Sequence, residues 1–230
     1  MYSSVTIDEG GFAMALGCGE SIRCSEHVAF TTNDLAARPR WEAERTLALP
    51  GRCRGTVLAR WADNCRKHFG DAAVKRVREG LPEWASDLPG DPPDDAWFPV
   101  GLQLRITELV VDECLGGDMR KLESLLHDDI RSSLPRATGL FIRTLGPGPI
   151  LARAKQIHPH LYDVGSAHAE TESGSAKIVC TGAELFGHPT FALLQMFAHR
   201  GFVELTNRRV QSLRATMPSD DALVIELRWS

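Results

Sequence analysis

The apolar positions change period near residue 55, and that change divides the chain. Before it, Val5 and Ile7 alternate with polar neighbours, Glu9-Gly10-Gly11 has the composition of a turn, and Phe12, Met14 and Leu16 alternate again. This pattern predicts a hairpin. Further short strands are predicted through Ile22 to Phe30 and Thr46 to Leu49, with a loop at Ala36-Ala37-Arg38-Pro39-Arg40. Residues 1–54 therefore read as a small β-rich extension. From Gly55 onward, Val57, Leu58, Trp61, Cys65 and Phe69 recur at helical intervals, which predicts an amphipathic helix over residues 56–69 closed by Gly70. Asp71 is the predicted N-cap of a second helix, in which Val74 and Val77 share a face and which Gly80 ends. The stretch Leu81 to Pro99, with five prolines and several acids, reads as a loop.

Residues 100–115 are apolar on nearly every side, through Leu102, Leu104, Ile106, Leu109, Val110, Val111 and Leu115, so this helix is expected at the centre. Gly116-Gly117 breaks it, Asp118 caps the next helix, and Met119, Leu122, Leu125, Leu126 and Ile130 trace the buried stripe of that helix. A short helix is expected over 134–144, then a rigid turn at Leu145-Gly146-Pro147-Gly148-Pro149, with Pro149 in the first turn of a helix through about residue 161. A strand (176–181), a helix from Pro189 to Arg200 and two long strands follow. In the last strand Leu223, Ile225, Leu227 and Trp229 face one way, opposite Val224, Glu226 and Arg228. Helices come first, then a sheet of at least three strands interrupted by one helix. That order excludes a doubly wound parallel sheet and predicts an α+β fold, a helical layer packed on one face of an antiparallel sheet.

Composition narrows the function classes. With 230 residues, 43% apolar and 24% charged, the chain can bury a core, and its length suits one domain, here 55–230, beside the 1–54 extension. The 26 basic and 30 acidic residues leave a net charge of −4 with no basic stripe, so nucleic acid is not an expected partner. No run of about 18 apolar residues suggests a membrane span. The start carries Asp8 and Glu9 where a secretory leader has Lys or Arg, and Leu16-Gly17-Cys18 lacks the flanks of a lipoprotein cleavage site, so a cytoplasmic protein is expected. The six cysteines, at 18, 24, 53, 65, 114 and 180, include no CxxC pair and read as reduced thiols, with Cys114 and Cys180 as small core residues.

Several residues could carry chemistry, each with a plainer structural reading beside it. His158-Pro159-His160 with His168 is the densest imidazole cluster, but the proline argues against one helical face, and exposed histidines at a helix end explain it. Glu123 and His127 stand four apart, as would a metal-binding pair, or as solvated side chains beside Leu125-Leu126. Glu108 and Asp112, four apart on the most apolar helix, could include a general acid if burial raises one pKa; an ion pair with Arg105 is the simpler account. Cys180 reads as an inert buried thiol rather than a nucleophile. Gly10-Gly11, Gly17 to Gly19 and Gly146 to Gly148 lack phosphate-loop spacing, and no GxSxG elbow is present. Trp97 and Phe98, Leu104 on the central helix, and Phe191, Met196, Phe197 and Phe202 are candidates to line an apolar pocket or a partner surface, or simply to fill the core.

Local patterns across residues 55–229 resemble an uncharacterised paralogous family described from myxobacteria. They are Gly55-Thr56-Val57-Leu58, His68-Phe69-Gly70-Asp71, Trp97-Phe98-Pro99-Val100, Gly116-Gly117-Asp118, Tyr162-Asp163-Val164-Gly165 and the terminal strand ending in Trp229. That family in turn resembles the four-vinyl-reductase, TRAPP-subunit and haem nitric-oxide-binding superfamily, whose members pack helices on an antiparallel sheet and serve as ligand-binding, sensory or assembly modules. The resemblance implies a non-enzymatic module that holds a small apolar ligand and self-associates; the residue pattern supplies Trp97, Phe98, Leu104, Glu108, Asp112, Phe191 and Phe197 as pocket or interface candidates. Two other readings stand beside it: a scaffold docking a regulatory protein such as a small GTPase, and a carboxylate- or metal-dependent enzyme. The stretch 215–222 lacks the cysteines with which vinyl-reductase-type domains hold zinc, and the Tyr-x-Ser-x-Arg motif of haem-binding relatives is absent, so neither a metal nor a cofactor is expected.

Overall fold

Helices and strands segregate along the chain as the apolar periods do. The computed structural model describes residues 28–86, 92–133 and 144–230. Among these, α1 (Thr32–Ala36), α2 (Ala43–Leu47), β1 (Arg52–Arg54), α3 (Gly55–Phe69), α4 (Asp71–Glu79), α5 (Glu83–Ser86), β2 (Trp97–Pro99), α6 (Val100–Leu115) and α7 (Leu122–Ser133) precede the main sheet. Then come α8 (Pro147–Leu151), α9 (Ala154–Leu161), β3 (Ser166–Glu172), β4 (Ser175–Thr181), α10 (Pro189–Leu205), β5 (Val210–Ser219) and β6 (Ala222–Trp229).

The main sheet is antiparallel throughout, in the order β3-β4-β6-β5. Two hairpins, β3–β4 and β5–β6, are joined side by side through β4 and β6, and α10 makes the connection between them. Strand alternation sends Ile178, Cys180, Leu213, Leu223, Ile225 and Leu227 into the core. On the opposite face Glu170, Lys177, Glu226 and Arg214 stand in register as a cross-strand row of alternating sign, which keeps that face in water. One face of the sheet is thus covered by helices, the α+β arrangement expected.

Two helices carry the layer. α6 buries Val100, Leu102, Leu104, Leu109, Val110 and Val111, and α10 buries Phe191, Leu193, Met196 and Phe197, so both are apolar nearly all round because each is enclosed nearly all round. His188 caps α10 and Pro189 occupies its first turn, where a missing N–H is harmless. α6 ends at Gly116, whose φ of 66° is a left-handed conformation that glycine adopts without a steric penalty.

Local details differ from the sequence reading. Residues 1–27, which include the predicted first hairpin, and nearly all of the predicted helix over 134–144 lie outside the described residues. Thr46 to Leu49 is no strand: Thr46 and Leu47 belong to helix α2, which presses on α6, and the described part of 1–54 also holds α1. Phe30 makes one isolated bridge, to Ala215. Gly70, not Asp71, is the N-cap of α4. The 81–99 segment carries α5 and also β2, which pairs with β1. Pro147 rather than Pro149 stands at the start of α8, and the chain breaks after Leu151 before α9 begins. α10 runs on to Leu205. The sequence pattern predicts no strand at β3, because its inward residues are small and the rest of it is polar. Cys53, Cys65, Cys114 and Cys180 are free thiols; Cys180 is buried, whereas Cys114 is only partly so.

A Cβ on Gly101 would stand 2.2 Å from the carbonyl oxygen of Thr46, so α2 and α6 cross at a distance only glycine allows. We expect Gly101→Ala to lower stability by about 1–3 kcal/mol despite alanine's better helix propensity, measured by urea denaturation.

Candidate functional site

Helices and sheet do not close on each other everywhere. Where β3 turns the short Ala167 inward, and Ala154 and Ala198 line the same space from α9 and α10, the side chains are too short to meet, and a cavity of about 390 Å³ remains. Its walls come from α3, α6, α7, α8, α9, α10, β3 and β4, and they are largely apolar, with Trp61, Leu151, Ile178, Phe191 and Leu194 among them.

A few polar groups interrupt this surface. Gln103 projects from α6 between the fully buried Leu102 and Leu104; it is 5% exposed, and its Oε1 has no hydrogen-bond partner. Tyr162 stands at the same wall, its buried phenol held protonated by desolvation against the opposing pull of the Gln103 side chain. Asn64 of α3 is buried at the same wall. His158 of α9 has Nε2 2.8 Å from the Val164 carbonyl, with its ring stacked on Tyr162 at 5.2 Å. His199 of α10 has Nδ1 2.6 Å from the Gln195 carbonyl, and burial lowers its pKa. Cys180, on the β4 wall, is pushed up to about 12 by burial and stays a thiol. At the outer end Arg60 and Asp129 form an ion pair at 2.9 Å.

A second polar cluster lies beside the cavity in solid core. Glu108 of α6 is 1% exposed and accepts a hydrogen bond from the Thr190 hydroxyl at 2.9 Å. His188 is completely buried; its Nδ1 accepts from the Thr190 N–H at 3.2 Å, which leaves the ring proton on Nε2, 3.1 Å from the Thr46 hydroxyl. Glu108 Oε1 stands 4.0 Å from that Nε2, beyond hydrogen-bond reach. Burial, reinforced by the charge of Arg45, lowers the His188 pKa to about 4, and burial raises that of Glu108 against the opposing pull of Thr190, Arg40 and Arg105.

The sequence candidates are thereby dispersed. Phe191 lines the cavity; Leu104 and Phe197 fill core. Glu108 is sealed in the His188 cluster, while Asp112 is exposed and paired with Arg40 at 2.8 Å, so the two carboxylates do not share a cleft. Trp97 and Phe98 lie on β2, paired with Arg54 and Cys53, and the Arg54 guanidinium sits 4.1 Å over the Trp97 ring. Glu123 pairs with Arg200, and His127 lies 3.1 Å from Glu204. His158 is buried while His160 and His168 are exposed, and no group of three metal-ligating side chains converges among the described residues. Nothing in the sequence pattern marks Gln103, Asn64 or His199 as cavity residues, and Tyr162 stands in it only within the Tyr162-Asp163-Val164-Gly165 match. The one available signal was Gln103, a polar residue set in the most apolar helix.

No protein-family model matches the sequence, and no curated protein matches it. Solved structures do. An Fe(II) unliganded H-NOX protein from K. algicida superposes with a TM-score of 0.57 at 10% identity, covering 77% of this chain and 96% of that one. A variant of Tt H-NOX gives 0.57 at 11% identity, covering 77% and 95%. An oxygen-binding H-NOX domain related to soluble guanylate cyclases, in its oxygen complex, gives 0.50 at 11% identity with the same coverage, 77% and 95%. The chain therefore has an H-NOX-like fold. No described helix is long and apolar enough to cross a membrane.

The fold family implies haem, and the cavity residues do not fit it. Haem brings two carboxylates, but the cavity's one guanidinium among the described residues is already joined to Asp129, itself an anion. His158 is clamped by Tyr162 and by Phe186, with ring centroids 5.2 and 5.7 Å away. His199 alone offers a neutral imidazole, with no charge complement around it.

The His188 cluster sets a pH dependence. Below pH 6.5 the unfolded chain protonates this imidazole and the native state does not, so stability is lost as pH falls from 6.5 towards about 4, by roughly 3 kcal/mol. His188→Asn, which keeps a capping acceptor, should flatten that loss in urea titrations between pH 7 and pH 5. Glu108 acts in the opposite sense: with its folded pKa above 4.5, the unfolded state releases the proton first and stability falls as pH rises through that range. Glu108→Gln should remove this second dependence, and at neutral pH it should be at least as stable as the parent.

Proposed function

We propose that the protein is a non-enzymatic, ligand-binding sensory domain that holds one small, largely apolar molecule in the cavity between α3, α9, α10 and the sheet. The carrying observation is the cavity itself: its size falls within the range of small-molecule sites, its walls are mostly hydrocarbon, and a few buried polar groups converge on it. The H-NOX-like fold supports the reading, since one structural neighbour is an oxygen-binding domain. Kinship to the myxobacterial paralogues, self-association and a cytoplasmic setting complete the proposal and rest on the sequence resemblance and composition. Neither the scaffold nor the enzyme reading gains a specific observation, because Trp97 is held by Arg54 and the Glu108 and Asp112 side chains part company.

Aminoanthracene, an uncharged fluorescent probe, should bind the full chain saturably with one molecule per protein. Ala198→Trp, which fills the cavity from α10, should weaken that binding by about tenfold or more. Unchanged binding in this variant would place the probe elsewhere and sink the proposal.

A further inference from the structure

We infer that the cavity selects an uncharged, mostly apolar molecule bearing one hydroxyl group, received by Gln103 and Tyr162. This rests on the ligand-binding reading above and names the chemistry of its ligand. The first support is electrostatic. Arg60 and Asp129 neutralise each other at the outer end, so a carboxylate or ammonium drawn inside would shed its hydration and meet no unspent counter-charge among the described lining residues. Deeper in, the phenol of Tyr162, the thiol of Cys180 and the imidazole of His199 are all kept in their neutral forms by burial.

The second support is the unmet hydrogen bond. A glutamine placed between two leucines on the most enclosed helix, with its Oε1 buried and unpartnered, is a cost to the free protein. Such a group is understandable where a ligand completes it. Tyr162 lines the same cavity, and a hydroxyl, which donates and accepts at once, can serve the amide and the phenol whichever way round the amide lies. Trp61, Ile178, Phe191 and Leu194 then enclose the hydrocarbon body.

The test compares four probes of one chain length on the full protein: n-decanol, decyl methyl ether, decanoate and decylammonium, followed by isothermal calorimetry and tryptophan emission at neutral pH. Decanol should bind about tenfold more tightly than each of the other three. Gln103→Leu should weaken decanol by about tenfold and leave the ether unchanged, a difference that a general loosening of the core would not produce. Should Gln103→Leu fail to fold, Tyr162→Phe should show the same selective loss. Equal binding of decanoate or decylammonium overturns the neutral-ligand claim, and equal weakening of alcohol and ether overturns the hydroxyl claim. A Soret shift on adding haem that is abolished in His199→Leu overturns the ligand class while leaving a binding domain. If aminoanthracene binds and no decyl compound does, this inference falls alone; if nothing binds, the ligand-binding reading falls with it.

Discussion

Three separate stretches of chain meet at one imidazole. His188 caps α10 through the Thr190 N–H, reaches Thr46 on α2 with its other nitrogen, and lies beside the Glu108 carboxylate that Thr190 also engages. Because the interior is of low polarity, each of these groups would be costly alone, and together they are tolerated only in one relative placement of α2, α6 and α10. Trp41 packs on the same ring at 4.6 Å and closes the cluster from outside. Much of the helical layer takes its position from here, since α2, α3 and α4 pack on α6 and α1, α7 and α8 pack on α10.

The cavity follows from that fixed placement. With α6 and α10 held, the short side chains at Ala154, Ala167 and Ala198 cannot be compensated by collapse, and the void they leave persists between the layers. The same rigidity presents Gln103 to the cavity rather than to solvent. A polar cluster in solid core and a cavity beside it are therefore parts of one arrangement: the first supplies uniqueness of packing, the second supplies room.

The sequence made much of the fold legible and little of the site. α3, α6 and β6 were readable because a single apolar stripe, an all-round apolar run and a strict alternation are direct images of burial. α2 was misread because Thr46 and Leu49 have strand-like side chains, and a five-residue helix is decided by its docking on Gly101, not by propensity. β3 was passed over because alanines and acids carry no β signal; its register comes from Lys177, Ile178 and Cys180 on its neighbour. The cavity left no trace in one dimension, since a void is set by the distance between Ala167, Ala198 and Trp61, residues far apart in the chain. Gln103 and Glu108 both interrupted the α6 pattern, and only their neighbours from α9 and α10 distinguish a cavity-wall residue from one sealed in core.

The main sheet has two free sides, and they are protected by different means. Along β5 the backbone of Phe30 exchanges hydrogen bonds with Ala215, N–H to carbonyl at 2.7 Å in one direction and 2.9 Å in the other, so part of that border is already taken. Among the described residues no backbone hydrogen bond reaches the free side of β3, and Glu170 and Glu172 are exposed along it. A strand added there in a register that set acid against acid, at a spacing of roughly 5 Å, would meet like charge, which disfavours that pairing. Polar composition, the property that removes any strand signal from the β3 sequence, thus also makes this border of the sheet a poor template for edge-to-edge pairing.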